Sequence, residues 1–211
     1  MMTLSKLSTI IMVISLATIV FSCSKDENNN GNDNKKDYTF EHNGHSYTVV
    51  KELKTWIDAA ADAVSKGGYL VEIGSEAEHN AVYKGITDAG VSTSYTTVND
   101  GGGIAYVWIG ATDRKTEGSW LWNGTNGNDG TLFWRNGAAV EDSYVNWGGK
   151  AAGKINEPDD FGGKQDAAAI GLANWPSGSS ATSGLGKAGE WNDIDETNKI
   201  YYVVEFDELK Q

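Results

Sequence analysis

The chain contains one cysteine, Cys23, so whatever folds downstream of it does so without an internal disulfide. A region of about 170 residues can bury enough apolar surface to manage without such staples. Eight tryptophans and nine tyrosines supply the large side chains for that core. Tyr38 to Val50 alternates about Asn43-Gly44, which predicts a hairpin. Thr55 with Asp58, and Ser75 with Glu78, are spaced as capping boxes and predict helices over Trp56 to Val64 and from Ser75 to about Ile86. Short strands are predicted at Tyr69–Ile73, Ala105–Ile109, Trp120–Trp122, Ala167–Leu172 and Ile200–Phe206, and residues 135–165 show little periodicity. Early helices followed by strands and long loops predict an α+β domain, two helices packed on small antiparallel sheets.

The position of Cys23 divides the chain. Lys6 precedes an apolar run from Leu7 to Phe21 that ends at Ser22-Cys23. A basic start, a short apolar stretch and a small residue before the cut read as a secretory signal over residues 1–22. The cysteine that closes it resembles the lipobox of bacterial lipoproteins, which implies lipidation of Cys23. Residues 24–36 hold nothing apolar to bury, which predicts a disordered tether over 23–37 and a folded domain over 38–211. Lys25-Asp26-Glu27 resembles the export signal of Bacteroidetes surface lipoproteins. The expectation is an outer-membrane, surface-exposed protein that meets the membrane through its lipid anchor only. A formal net charge of −12 argues against nucleic acid as a partner.

The acids fall in three groups: Asp113 with Glu117; Glu157, Asp159 and Asp160 with Gln165-Asp166 close behind; and Asn192-Asp193. Carboxylates this crowded repel one another unless a cation neutralises them. Oxygen ligands from Asp, Glu, Asn and Gln suit calcium, whereas a softer metal would call for Cys or His. His42, His45 and His79 are expected to be plain surface residues.

From about residue 38 to 208 the ordered set of markers resembles the C-type lectin domain. Trp56 to Ala61, Gly68 to Ile73 and Ser75 to Glu78 look like its two helices and intervening strand, and Trp108-Ile-Gly110 looks like its core element. Asn146-Trp147, Glu157-Pro-Asp159 and Trp191-Asn-Asp193 look like its long-loop motifs. The resemblance implies a sugar-binding calcium site from Glu157, Asp159, Gln165, Asn192 and Asp193. It implies an auxiliary site from Asp113, Glu117, Asp160 and Asp166, and a cis bond before Pro158. Glu157 and Asp159 are both acceptors, an unusual pairing for the motif, which leaves Asn192 and Gln165 as the donors toward a sugar. Gln165 brings no charge where an acid is usual, so millimolar calcium affinity is expected at the first site.

Trp108, Trp120, Trp122 and Trp191 are expected to fill the core, while Trp147 and Trp175, placed in loops, are candidates to stack on a sugar. The implied function is calcium-dependent carbohydrate binding, with Ca2+ as cofactor and a glycan or a neighbouring-cell surface ligand as partner. The alternative is a non-enzymatic adhesin or protein-binding module with structural calcium. Catalysis is not expected: acids that share a cation are poor candidates for one protonated acid and one free base, and the one cysteine is committed to the anchor.

Overall fold

The computed structural model describes residues 36–149 and 157–207. The signal segment, Cys23 and all but the last two residues of the tether lie outside them. The described residues open with the expected hairpin, β1 (Tyr38–His42) and β2 (His45–Lys54), turning through Asn43 and Gly44 at φ 48° and 89°. Both capping boxes form. Thr55 Oγ1 accepts from Asp58 N at 3.2 Å to start α1 (Trp56–Ser65), and Ser75 Oγ accepts from Glu78 N at 3.2 Å to start α2 (Glu76–Asp88).

Between the helices, β3 is only Tyr69–Leu70 and shorter than expected. Beyond it the Glu72 N–H is taken by the Glu205 carboxylate at 3.2 Å, a side chain standing where a ladder partner would be. The remaining strands are β4 (Tyr106–Thr112), β5 (Ser119–Trp122), β6 (Thr131–Arg135), β7 (Ala138–Ala139), β8 (Ala167–Gly171), β9 (Trp191–Ile194) and β10 (Ile200–Phe206). β6, β7 and β9 were not expected.

Among the described residues ten strands join in one network, in the order β1-β2-β10-β4-β5-β6-β7, with β3 on β10 and β8 bridging β4 to β9. β10 and β4 run parallel, Tyr201 opposite Val107, so the sheet is not purely antiparallel as expected. β2 lies between the first and last strands, since Val49 faces both Tyr38 and Val203.

β4 is buried along its whole length and has a core on each side. With a side-chain period of two, Val107, Ile109 and Ala111 join Trp120, Trp122, Phe133, Trp147 and Trp191. Tyr106 and Trp108 join Trp56, Ala59, Ala60 and Ala63 of α1 and Trp175. Gly110 is required where β4 meets the chain after α1, because a Cβ there would lie 2.4 Å from the Leu70 carbonyl oxygen. This two-sided packing anchors the strands from whose ends the acidic loops emerge.

Candidate metal centre

β9 pairs with the small residues of β8, Asp193 opposite Ala168 and Asn192 opposite Ala169, and so brings both polar side chains into the interior. Asp193 is completely buried. Its two carboxylate oxygens accept the backbone N–H groups of Asp159, at 3.2 Å, and Asp160, at 2.8 Å. The 157–160 segment is thereby fastened to β9, with the expected cis bond at Glu157-Pro158. Carboxylate oxygens of Glu157, Asp159 and Asp193 come within 4.8 Å of one another. Burial, followed by the neighbouring acids, pushes the Glu157 and Asp193 carboxyls above the usual carboxylate range.

A second trio, Asp113, Glu117 and Asp166, is assembled where β4 ends, again with one oxygen from each within 4.8 Å. Asp113 Oδ2 accepts from Gly118 N at 2.9 Å. Burial, and then the charges of Glu117, Asp166 and Asp193, push its carboxyl up to about 8 against the opposing Gly118 N–H. Glu117 and Asp166 are also raised, by burial first and then by the charge of Asp160. Asp160 stands outside both trios yet serves each, giving its N–H to Asp193 and its negative field to Glu117 and Asp166.

Three buried oxygens bear on whether a cation fits. Glu157 Oε2 and Asn192 Oδ1 beside the first trio, and Asp113 Oδ1 in the second, have no hydrogen-bond partner. A buried acceptor left unpaired is costly, and a hard divalent ion satisfies oxygens of this kind. Glu157, Asp159, Asn192 and Asp193 therefore fit one cation, and Asp113, Glu117 and Asp166 another.

Several expected roles are corrected. Gln165 is buried and both ends of its amide are engaged: Oε1 accepts from Phe161 N, and Nε2 donates to the Asp100 carbonyl at 3.1 Å. It braces the loop between Asp100 and Phe161. Asn192 Nδ2 is likewise held, donating to the Tyr106 hydroxyl at 2.9 Å. Trp147 and Trp175 cannot serve as stacking platforms, being 3% and 1% exposed. Trp147 packs edge-on against Trp120 and Trp191. Trp175 lies among glycines, with a Cβ at Gly186 falling 2.0 Å from its ring, and its indole N–H donates to Glu157 Oε1 at 3.0 Å. His79 is not a surface residue either. It is buried, its Nδ1 accepts from Trp191 Nε1 at 3.2 Å, and burial lowers its pKa to about 4. His42 and His45 are half-buried beside the hairpin turn, and His45 Nδ1 lies 2.8 Å from Glu205 Oε1.

The first trio borders a cleft of about 200 Å³ whose walls include Asp100, Phe161, Trp175, Pro176, Leu185 and Asn192. Phe161 is 68% exposed at its edge, a large apolar ring held out to solvent beside the acids. It stands exposed at the cleft, as Trp147 and Trp175 were expected to do. The available signal was its isolation, one apolar residue between Asp159-Asp160 and Gly162-Gly163. Asp100 was also missed. Its carboxylate accepts from Asp195 N at 2.7 Å and from Asn198 Nδ2, tying the loop after β9 to the loop before β4.

The Lectin C-type domain family matches residues 52–206. The hepatic lectin of Gallus gallus is 26% identical over 163 residues, 77% of this chain and 55% of that protein. The lactose-binding lectin l-2 of Anguilla japonica is 30% identical over 129 residues, 60% of this chain and 58% of the relative. This chain thus spans little more than half the length of either. Among solved structures, the carbohydrate-recognition domain of the mouse scavenger receptor C-type lectin superimposes with a TM-score of 0.53 at 22% identity, covering 81% of this chain and 96% of that one. At that identity the likeness is one of fold.

Proposed function

Because this chain belongs to the Lectin C-type domain family, we propose that it is a calcium-dependent carbohydrate-binding module. The observation that carries the reading is the convergence of two unpaired buried acceptors, Glu157 Oε2 and Asn192 Oδ1, with the carboxylates of Asp159 and Asp193 beside an open cleft. Calcium held there would supply a hard Lewis acid for hydroxyl oxygens. The protein's own part is to hold acceptors in place for the hydroxyl protons and to offer Phe161 to the apolar face of a sugar. That a relative is named as binding lactose supports a saccharide as the ligand class.

Asp113, Glu117 and Asp166, with the field of Asp160, serve a second ion that fastens the loops. The setting proposed for the module is the outer surface of a bacterial envelope, tethered through acylated Cys23. A second reading, an adhesin for a protein partner with purely structural calcium, is favoured by the second trio, which contributes no residue to the cleft. A glycan array probed with and without chelator separates the two. Sugar binding that disappears with chelator is the expected result. Absence of any glycan signal in millimolar calcium would sink the carbohydrate reading in favour of the adhesin.

A further inference from the structure

A second cavity, of about 310 Å³, has walls that include Trp134, Val145, Trp147, Glu157 and Pro158. Glu157 is the one described residue that it shares with the cleft beside Asp159 and Asn192. Trp147 is fixed in place there. The backbone on either side of it is tied to β9, Gly148 N donating to the Trp191 carbonyl and Trp191 N to the Asn146 carbonyl, both at 2.9 Å. Its ring is wedged edge-on against Trp120 and Trp191, with Trp134 tilted 60° to it at 6.4 Å between centroids.

An indole N–H can only donate. The buried indoles of Trp56, Trp108, Trp175 and Trp191 each reach an acceptor: the Ile109 carbonyl, the Lys54 carbonyl, Glu157 Oε1 and His79 Nδ1. Trp147, 3% exposed, is different, because its Nε1 has no partner. Glu157 Oε2 is its counterpart, a buried acceptor without a donor. Groups of this kind are costly to leave unmade. The described walls hold no Lys, Arg or His, so an anion finds no countercharge. The complement is a neutral group with one acceptor, one donor and a small apolar end. A hydroxyl has the first two and nothing to cover the walls; a secondary amide ending in a methyl has all three.

We infer that this cavity is the subsite for the acetamido group of an N-acetylated sugar. The carbonyl oxygen accepts from Trp147 Nε1, the amide N–H donates to Glu157, and the methyl lies against Trp134, Val145 and Pro158. The inference rests on the carbohydrate reading of the neighbouring cleft. Glu157 joins the two, since a carboxylate has lone pairs for an ion and for a proton together. Trp147 is thus a specificity residue through its N–H and not through its ring face.

Calorimetry in saturating calcium compares methyl glucoside with the methyl glycoside of N-acetylglucosamine, which differ only at C2. The N-acetyl sugar is expected to bind about 5- to 100-fold tighter, the range for meeting a buried donor that otherwise has no acceptor. In Trp147→Phe, which keeps a ring and removes the donor, the preference falls to about threefold or less. Val145→Phe, which fills the cavity from a half-buried position, removes the preference and leaves methyl glucoside and calcium binding as they were. Equal binding of the two sugars by the wild type, or a preference that survives in Trp147→Phe, overturns the inference.

The Trp147 indole resonance in 1H–15N spectra reads the subsite in the wild type, so the test stands even where a variant does not fold. Its proton is expected to move downfield with the N-acetyl sugar and with N-methylacetamide alone in chelator, and to stay in place with methyl glucoside. A resonance that stays in place while the N-acetyl sugar binds overturns the proposal. If neither sugar binds but N-methylacetamide moves the resonance, the carbohydrate reading falls and the amide site is upheld. No movement with any probe overturns the site itself.

Discussion

Asp113→Asn separates the two demands placed on the second acid trio, and its sign is expected to reverse with calcium. Without an ion, folding buries a carboxyl whose pKa rises from 3.8 to about 8. A carboxyl raised in the folded state contributes stability below its unfolded pKa, and that contribution is lost as pH rises toward the folded value. At 1.36 kcal/mol per unit the whole shift corresponds to an upper bound of about 6 kcal/mol. Glu117 is exposed and Asp166 only partly buried, so solvent reaches the trio. With screening, the expected effect is about half of that, roughly 2–3 kcal/mol.

An asparagine keeps the shape, can accept the Gly118 N–H, and never has to ionise. In chelator at pH 8 the variant should therefore melt about 5–10 °C above wild type, taking about 2–4 °C per kcal/mol for a domain of this size. Near pH 4.5, where Asp113 is still protonated in the fold but roughly 80% ionised in the unfolded chain, the two should differ by only about 1 kcal/mol or less. In excess calcium at pH 8 the variant lacks a charged ligand and should melt below wild type. Scanning fluorimetry in the three conditions reads all of this. An unchanged midpoint at pH 8 in chelator, with no calcium response in either protein, refutes the picture of Asp113 as a buried acid waiting for a cation.

Phe161→Ala should weaken sugar binding by roughly 3- to 10-fold while leaving the melting temperature and calcium titration alone, because the ring is exposed; calorimetry with sugar and with calcium checks both halves. Trp175→Phe removes the indole N–H from Glu157 Oε1 and loosens the glycine-lined seat, so a loss of about 1–3 kcal/mol in chemical denaturation together with weaker calcium binding is expected. Full stability with only sugar binding lost would instead restore Trp175 as a stacking residue. Cys23→Ala should abolish incorporation of an alkyne-tagged fatty acid during expression, and persistent labelling would place the acyl group elsewhere.

Where a local rule governs the backbone, the sequence was a reliable guide. Thr55, Ser75 and Asn43-Gly44 marked their caps and turn because each acts within three or four residues. The acids of the first trio were legible through the resemblance, and the structure brings Glu157, Asp159 and Asp193 together. β6 and β7 went unread although Asn136-Gly137, at φ 53° and 76°, carries the same turn signal as the first hairpin. The flanking run Thr131–Arg135 is too short and half-exposed to announce a strand. The direction of the amides and the burial of the loop tryptophans were not legible. They depend on pairings between residues far apart, Asn192 with Tyr106 and Trp175 with Glu157, which no local pattern encodes. His79 belongs with these: a polar residue in a helix looks solvent-facing until Trp191 arrives to donate to it.

The arrangement of the terminal strands on either side of β2 has a consequence for how such a module is deployed. Val49 faces both Tyr38 and Val203, and Ser46 faces Phe206. Entry and exit are thus two strand spacings apart and offset by a few residues, roughly 14 Å. A unit with neighbouring ends can be spliced into a surface turn of a host protein, or strung in series, with little disturbance to either partner's backbone. Evolution and engineers alike can treat it as a cassette.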